Sequence, residues 1–418
     1  MTDTSRRQWF AGVDWASDKH DVVLTGDSDE IVGHRIFEHS GAGLAQMADW
    51  LLSETKAAAQ DIHVAIETPH GAVVETLLER GFKVYSINPK QLDRFRDRFT
   101  VAGAKDDRRD GHVLASSLRT DARAFRLLTP ADPEIVELRE FSRIVEELGH
   151  DLRRHMNRLH DQLRRYFPAF LRLGGDADAL WKLELLALAP TPAMARSLPR
   201  AKVARLVKTH RVRCHDADGL LAVLRAPAPA VSEATVAAAK VHVLVLLKQI
   251  RLAAEQLGEA KATLGRLVDA LAEPGDSAPG QTVQRDAAIL HSSPGMGRII
   301  LATLLAEAPQ AVRERDYHAL RTHGGIAPVT RQSGKSRYVV RRLACNKRLR
   351  NALYHWARVA IQKDARYRAK YEALHARGKS WGRALRTIAD RLLYVACAML
   401  EAGTLYDANH GAEATKSP

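Results

Sequence analysis

The chain has 418 residues, of which 46% are hydrophobic and 27% are charged. This balance is typical of a folded globular protein and excludes a fibrous or intrinsically disordered chain. The length exceeds that of one ordinary hydrophobic core, so two or three domains are expected. No run of 18 apolar residues and no signal peptide is evident, so we expect a cytoplasmic protein without a membrane partner.

The cysteines give a weak indication of the compartment. Cys214, Cys345 and Cys397 are widely spaced and odd in number. This pattern argues against a disulfide framework and against a cysteine zinc site, and it fits a reducing compartment.

Positive charge is concentrated near the C-terminus. The whole chain carries a formal net charge of +14. Residues 313–391 contain 21 Lys and Arg against 5 Asp and Glu, whereas the remainder contains 42 against 44. Such a segment predicts contact with a polyanion, most simply nucleic acid, and its interleaved aromatic residues could stack on bases. The alternative is a basic surface that is merely solvated.

Residues 8–130 combine strand and helix patterns. Three short strands, written "WFAGVDWA", "HDVVLTG" and "IVGHRIFEH", precede a helix, a strand, a helix, a strand and further helices. This is the order of elements in a ribonuclease-H-like fold. An α/β domain is therefore predicted here, followed by all-α regions.

Long helices are predicted in the middle region, 131–272. Apolar residues recur at three- and four-residue spacing over 132–170 and again over 232–272. The two helices could pair as an antiparallel coiled coil, form an oligomer seam, or pack as ordinary helices. Residues 171–230 between them are interpreted as a small helical insert.

The C-terminal region is predicted to be a helical domain over 284–402, preceded by a linker over 272–281. Residues 403–418 are predicted to be a disordered tail. In "SSPGMG", Gly295 and Gly297 form a turn that opens a helix. Backbone N–H groups at such a helix start can bind a phosphate oxygen, as in helix-hairpin-helix DNA binders.

Four carboxylates form the candidate catalytic set. Asp14 and Glu67 each end a predicted strand, and neighbouring strands would bring both to one edge of the sheet. Asp107 and Asp110 are three residues apart and share a helix face, as would Asp106 and Asp110. Four such ligands would hold Mg²⁺, and two ions could activate the attacking oxygen and stabilise the leaving oxygen of a phosphodiester. Taken singly, each residue also fits a turn or a solvated helix face.

Several segments, in their order along the chain, resemble one known family. The first three are "GVDWASDKHDVVL", "IETPHGAVVETLLERGFKVYSINP" and "KDDRRDGHVLASSL", and the C-terminal ones are "SSPGMGRIILATLLAE", "DYHALRTHGGIAPVTRQSGKS" and "CNKRLRNALYHWA". They resemble the DEDD/serine transposases of bacterial insertion sequences, the RNA-guided bridge recombinases. The family's Lys-x-Asp-x-x-Asp register selects Asp107 over Asp106.

This resemblance implies a RuvC-like N-terminal catalytic domain and a C-terminal transposase domain that carries a serine nucleophile. Ser333 resembles the serine that attacks a DNA phosphate and forms a covalent phosphoserine link. The implied cofactors and partners are Mg²⁺, a structured guide RNA, double-stranded DNA and a homo-oligomer of two or four subunits. The basic and glycine residues expected to bind nucleic acid beside the serine are Arg331, Gly334, Lys335, Arg337, Arg341, Arg342, Lys347, Arg348 and Arg350.

Other functions remain open at this point. A junction-resolving nuclease would use the carboxylates with water, and Ser333 would then belong to a plain Ser-Gly turn. A relic of a transposase would bind nucleic acid without catalysis. An actin-like sugar kinase shares the order of elements but would carry glycine-rich phosphate loops, which are not evident in residues 1–130.

Overall fold

The computed structural model describes residues 8–98, 107–130, 132–174, 178–273, 282–334 and 336–408, and the side chains of Asp107 and residues 282–285 lie outside this description. The chain divides into two compact units, residues 1–132 and 133–418. None of the helices in the described ranges is long and apolar enough to cross a membrane.

The first unit contains a six-stranded mixed sheet. Its strands are β1 (Trp9–Trp15), β2 (Lys19–Thr25), β3 (Ile31–Glu38), β4 (Ile62–Ile66), β5 (Lys83–Ser86) and β6 (Arg126–Leu127). They lie in the order β3-β2-β1-β4-β5-β6. Strands β1, β4 and β5 are parallel, and β2, β3 and β6 pair antiparallel with their neighbours. This sheet is consistent with the predicted ribonuclease-H-like order, whereas the two-residue β6 was too short to be predicted.

Helices cover both faces of this sheet. They are α1 (Gly41–Thr55), α2 (Ala72–Glu79), α3 (Pro89–Arg96) and α4 (Asp107–Thr120). Alternate strand residues divide between the faces: Val13 and Val64 join one core with α1 and α2, and Phe10 and Ala65 join another with α3 and α4. The Asn88 side chain accepts from the N–H of Lys90 and caps α3, which begins at a proline.

Helix α4 approaches β1 at two glycines. A Cβ atom on Gly12 would lie 1.9 Å from the carbonyl oxygen of Gly111, and one on Gly111 would lie 3.0 Å from Val23 Cγ2. The close approach therefore depends on the absence of a side chain at Gly12. The close approach of α4 to β1 places Asp110, the residue before Gly111, next to the sheet.

The second unit is mainly helical. Its helices are α5 (Pro133–Tyr166), α6 (Leu180–Leu188), α7 (Pro192–Arg196), α8 (Arg200–Thr209), α9 (Ala217–Leu224), α10 (Glu233–Ala272), α11 (Thr282–His291), α12 (Arg298–Glu307), α13 (Pro309–Arg313), α14 (Tyr317–His323), α15 (Lys347–Lys363), α16 (Ala365–Ala376) and α17 (Trp381–Ala402). One continuous apolar core extends through these helices.

The two long helices α5 and α10 pack against each other and run antiparallel. The beginning of α5 contacts α12 through Ser142, whose Oγ lies 3.4 Å from Thr303 Oγ1. The end of α10 contacts the same helix, because Arg298 Nη2 donates to Asp269 Oδ2 over 2.8 Å. The apolar spacing seen in the sequence thus corresponds to the buried seam between these helices.

A β-hairpin interrupts the helices of the second unit, so the prediction of an all-helical region is incomplete there. Strands β7 (Val329–Ser333) and β8 (Ser336–Val340) pair antiparallel, with Ser333 opposite Ser336. Gly334 directly follows β7 with a φ of +53°, a conformation that favours glycine. No alternation of apolar and polar residues marks these strands in the sequence, because they are exposed along most of both faces.

Candidate active site and nucleic-acid interface

Asp14 and Glu67 lie at the same edge of the sheet. In the parallel pairing of β1 and β4, Val13 aligns with Ile66, so the next residue on each strand is a carboxylate. Both residues are half-buried. By alternation along the strands, both belong to the face that α4 covers. The sheet register therefore brings these two predicted site residues together.

Asp110 is attached to this edge through Arg96. The carboxylate of Asp110 is buried and accepts two hydrogen bonds from Arg96, at 2.9 Å from Nε and 3.1 Å from Nη2. Arg96 Nη2 also lies 3.9 Å from Glu67 Oε2, and Nη1 donates to Asp93 over 2.7 Å. One guanidinium thus lies between Asp110 and Glu67.

The charge of Arg96 is stabilised by these partners. Burial opposes the charge, but the hydrogen bonds donated to Asp110 and Asp93 and the charge of Glu67 outweigh it, so the pKa of Arg96 is raised. Arg96 consequently remains a cation at any physiological pH. Sequence reasoning missed it, because nothing in the local sequence marks one arginine of "DRFRDR" as the partner of a residue on another helix.

The donor set suits a hard cation, but Arg96 occupies part of the site. Carboxylate oxygens on one edge of the sheet are the ligands that Mg²⁺ prefers. Among the described side chains, which do not include that of Asp107, no three His, Cys, Asp or Glu lie close enough to hold a metal ion. Asp107 is the first residue of α4, and Asp106 lies outside the described residues. The choice between them stays a prediction.

Asp21 and His34 are a further acid–base pair beside Asp14. Asp21 lies directly opposite Asp14 in the β1–β2 ladder, so both share one face. Asp21 is buried and its Oδ1 lies 2.6 Å from His34 Nε2 on β3. No sequence motif marks this pair, although the alternation of Asp21 with Val22 and Leu24 indicates a carboxylate on the face opposite to them.

Ser333 lies at the tip of the hairpin in the second unit. Its side chain is exposed and makes no hydrogen bond with any residue that the structure describes. Arg331 and Arg337 are also exposed, on the two strands next to the tip. Gly334 leaves open space around its Cα, and Lys335 lies outside the described residues.

The other predicted nucleic-acid residues differ in their surroundings. Arg341 and Lys347 are exposed, whereas Arg342 is half-buried and its Nε has no hydrogen-bond partner among the described residues. Arg348 forms an ion pair with Glu146, and Arg350 Nη1 lies 3.9 Å from Cys345 Sγ. The ion pair of Arg348 thus connects α15 with α5.

The two glycines of "SSPGMG" have different roles in the fold. Gly295 has a φ of +79°, and a Cβ atom there would lie 2.6 Å from the backbone nitrogen of Ala360. It is therefore required by the packing of this turn against α15. Gly297 is exposed and caps α12 without a side-chain hydrogen bond, which leaves the first N–H groups of that helix available.

Comparisons with known proteins define the class of this chain. A model of DEDD transposases, described as "Transposase", matches residues 11–168, and a model described as "Transposase IS116/IS110/IS902 family" matches residues 287–372. The "Mini-circle putative transposase for IS117" of Streptomyces coelicolor is 33% identical over 396 residues, which cover 92% of each chain.

Two further relatives are, by their names, a transposase and an insertion-element protein. The "Putative transposase y4uE" of Sinorhizobium fredii is 56% identical over 215 residues, which span 51% of this chain and 60% of that protein. The "Insertion element IS116 uncharacterized 44.8 kDa protein" of Streptomyces clavuligerus is 26% identical over 97% of this chain and 98% of its own. The class is that of insertion-sequence transposases. Within it, the chain belongs to the IS110 family, which implies DNA processing.

Proposed function

We propose that this transposase cuts and rejoins DNA strands with a Mg²⁺-binding carboxylate set and Ser333 as nucleophile. The observation that supports it most is the shared register of Asp14 and Glu67, with Asp110 anchored to the same edge. Asp107, Asp110, Asp14 and Glu67 would hold the metal. Bound there, Mg²⁺ would neutralise charge on the phosphate and lower the pKa of a coordinated hydroxyl.

Arg96 has a defined part in this proposal. Its hydrogen bonds with Asp110 neutralise a buried carboxylate that would otherwise be costly. A cation held by Asp110 would compete with Arg96 for these carboxylate oxygens. A guanidinium displaced from Asp110 would be able to donate hydrogen bonds to a phosphate oxygen.

Ser333 is suited to attack because it projects on an exposed hairpin. Its Oγ would form a bond to the phosphorus while the bond to one sugar oxygen breaks, and the serine proton would pass to a general base. The leaving oxygen would take up a proton. Arg331 and Arg337 would stabilise the negative charge that builds on the phosphate. Gly334 permits close approach of the DNA backbone.

A guide RNA and a homo-oligomer complete the proposal. Both rest on the resemblance of the motifs to RNA-guided bridge recombinases and on the excess of positive charge in residues 313–391. The proposed division into a catalytic domain, 8–130, a long-helix region, 131–272, and a transposase domain, 284–402, rests on the helix and strand patterns of the sequence and on the same resemblance.

The test is strand cleavage by the full-length protein on labelled duplexes that carry the element ends, with RNA transcribed from the flanking DNA. We expect cleavage with Mg²⁺, none with a chelator, and none with Asp110→Asn or Glu67→Gln. Denaturing gels should show protein attached to the cut strand. Metal-dependent cleavage without attached protein would instead support the junction nuclease, with water as the nucleophile.

A further inference from the structure

A basic pocket lies between the base of the hairpin and the beginning of α17. Its volume is 450 Å³. The cationic side chains that line it are Arg321, Arg341, Arg342, Lys379, Arg383 and Arg386. They come from three separate parts of the chain, so the fold has concentrated charge beyond what the local sequence provides. We call this cavity the basic pocket.

The positive charge of the basic pocket is largely uncompensated. Asp390 is the one carboxylate among the described residues that line it. It accepts hydrogen bonds from Arg321, at 2.9 Å from Nε and 2.8 Å from Nη2, and from Tyr317 over 2.9 Å. The remaining five cations form no ion pair with a described carboxylate. A pocket of this kind favours an anion, because neighbouring like charges repel until a counter-charge lies between them.

Two further features favour an oxyanion. The Nε of Arg342 is buried and has no hydrogen-bond partner among the described residues, so it needs an acceptor. The N-terminus of α17 lies between Lys379 and Arg383, and the side chain of its cap residue Ser380 accepts no hydrogen bond from the described N–H groups of the helix. The first N–H groups of this 22-residue helix add partial positive charge at the pocket.

We propose that the basic pocket binds a backbone phosphate of the DNA strand that Ser333 attacks. This step rests on the proposed function of Ser333. The hairpin links the two places: four residue steps separate Ser336 at the tip from Val340 in the pocket lining. At roughly 3.3 Å per strand residue the span is about 13 Å. This corresponds to no more than about four nucleotides of a B-form strand.

DNA is favoured over RNA because the pocket and the serine share one hairpin. A strand that contacts the hairpin tip and runs along the hairpin would pass its base as well. In the proposed reaction that strand is the one that is cut. The basic pocket would then fix the register of the cut by holding a second phosphate, while carrying no sequence information itself.

The first test measures affinity of the full-length protein for a short labelled DNA duplex over a range of KCl concentrations. Lys379→Gln with Arg383→Gln removes two exposed cations, and we expect the slope of log affinity against log salt to become shallower by about 0.9, as for one lost phosphate contact. The matched control is Lys202→Gln with Arg205→Gln, an exposed Lys and Arg pair on α8, which should leave the slope unchanged. The charge-preserving pair Lys379→Arg with Arg383→Lys should retain the wild-type slope.

An unchanged slope in Lys379→Gln with Arg383→Gln, or an equal loss in the α8 control, would overturn the proposal. The proposal would also be overturned if Lys379→Gln with Arg383→Gln lost affinity for the flanking RNA but kept full affinity for DNA. These binding results do not depend on cleavage, so they separate a failure of the basic pocket from a failure of the serine mechanism.

The second test locates the phosphate. Single neutral methylphosphonates are placed at successive positions beside the cleavage point, and binding by the wild-type and Lys379→Gln with Arg383→Gln proteins is compared. We expect one position within about four nucleotides to weaken wild-type binding severalfold but to have little effect on the variant. Equal effects of every position on both proteins would contradict the assignment.

Discussion

At the scale of single residues, Arg96 contacts two carboxylates of the candidate site, at the edge of the sheet. Arg96 is half-buried and holds Asp110 by two hydrogen bonds while it approaches Glu67. It therefore supplies the positive charge that these acids require without a metal. This contact joins α3 to α4, and no periodicity of the sequence predicts it. Asp14 and Glu67, in contrast, were predictable because carboxylates at the ends of neighbouring strands share an edge.

Replacing Arg96 should change both the stability of the first unit and its affinity for Mg²⁺. We expect Arg96→Gln to lower the free energy of unfolding without metal by about 1–3 kcal/mol, because Asp110 loses a charged partner. The variant should also bind Mg²⁺ more tightly, since a competing cation is gone. Thermal unfolding over a MgCl₂ series measures both.

The control for this prediction is Arg94→Gln, two residues earlier and exposed. It should behave like the wild type in both respects. A weaker response of Arg96→Gln to Mg²⁺ would show that Arg96 assists the metal site instead of occupying it.

Asp107 and Asp106 can be distinguished by activity. Asp107→Asn should abolish strand cleavage and leave the fold intact, because the Lys-x-Asp-x-x-Asp register of the resembled family makes Asp107 the proposed metal ligand. Asp106→Asn should retain most activity. Cleavage assays on both proteins, with circular dichroism as the check on folding, decide the register. The reverse result would shift the assignment by one residue.

At the scale of elements, the fit of α4 on β1 depends on Gly12. A methyl group there would lie 1.9 Å from the carbonyl oxygen of Gly111. We expect Gly12→Ala to destabilise the first unit by at least about 3 kcal/mol, since backbone cannot move aside as a side chain can. Urea unfolding measures this loss, and cleavage should fall with it because Asp110 moves.

Gly41→Ala is the matched control. Gly41 is the first residue of α1, and no atom of the described residues lies within 4 Å of a Cβ added there. Its effect should stay within about 0.5 kcal/mol. Equal losses for Gly12→Ala and Gly41→Ala would show that the contact with Gly111 does not determine the position of α4.

The elements themselves differed in how far sequence could predict them. The long helices α5 and α10 followed from apolar spacing sustained over many turns, and β1, β2 and β4 followed from short apolar runs. The β7–β8 hairpin did not, because its strands are polar and exposed, so that no buried face imposes a pattern. The turn residue Gly334 was the one available signal.

At the scale of the whole molecule, the charge is unevenly distributed along the chain. The segment 313–391 carries an excess of 16 positive charges, and the remainder is nearly neutral. The sequence shows where this charge lies along the chain, but it could not show that several of these cations line the basic pocket together. That convergence depends on the packing of α17 beside the hairpin.

Nucleic-acid affinity should therefore reside mainly in the second unit. The full chain should bind duplex DNA with a steep salt dependence, at a slope of about −0.9 for each phosphate neutralised. A fragment of residues 1–132, the first compact unit, should bind weakly and with a shallow slope. Fluorescence anisotropy over a salt series measures both, with circular dichroism to verify that the fragment is folded. Affinity of a folded fragment equal to that of the full chain would contradict this account.

The most direct test of the central claim is covalent attachment of the cut DNA strand at Ser333. The wild-type protein, with Mg²⁺ and the flanking RNA, should leave protein joined to one labelled strand on a denaturing gel. Ser333→Ala should bind DNA with nearly wild-type affinity, because no charge is lost, yet neither cut nor become attached. Ser336→Ala removes the hydroxyl directly opposite on the hairpin. This variant should still cut the DNA and become attached to the cut strand. Cleavage by Ser333→Ala at the wild-type rate would contradict the account and identify water as the nucleophile.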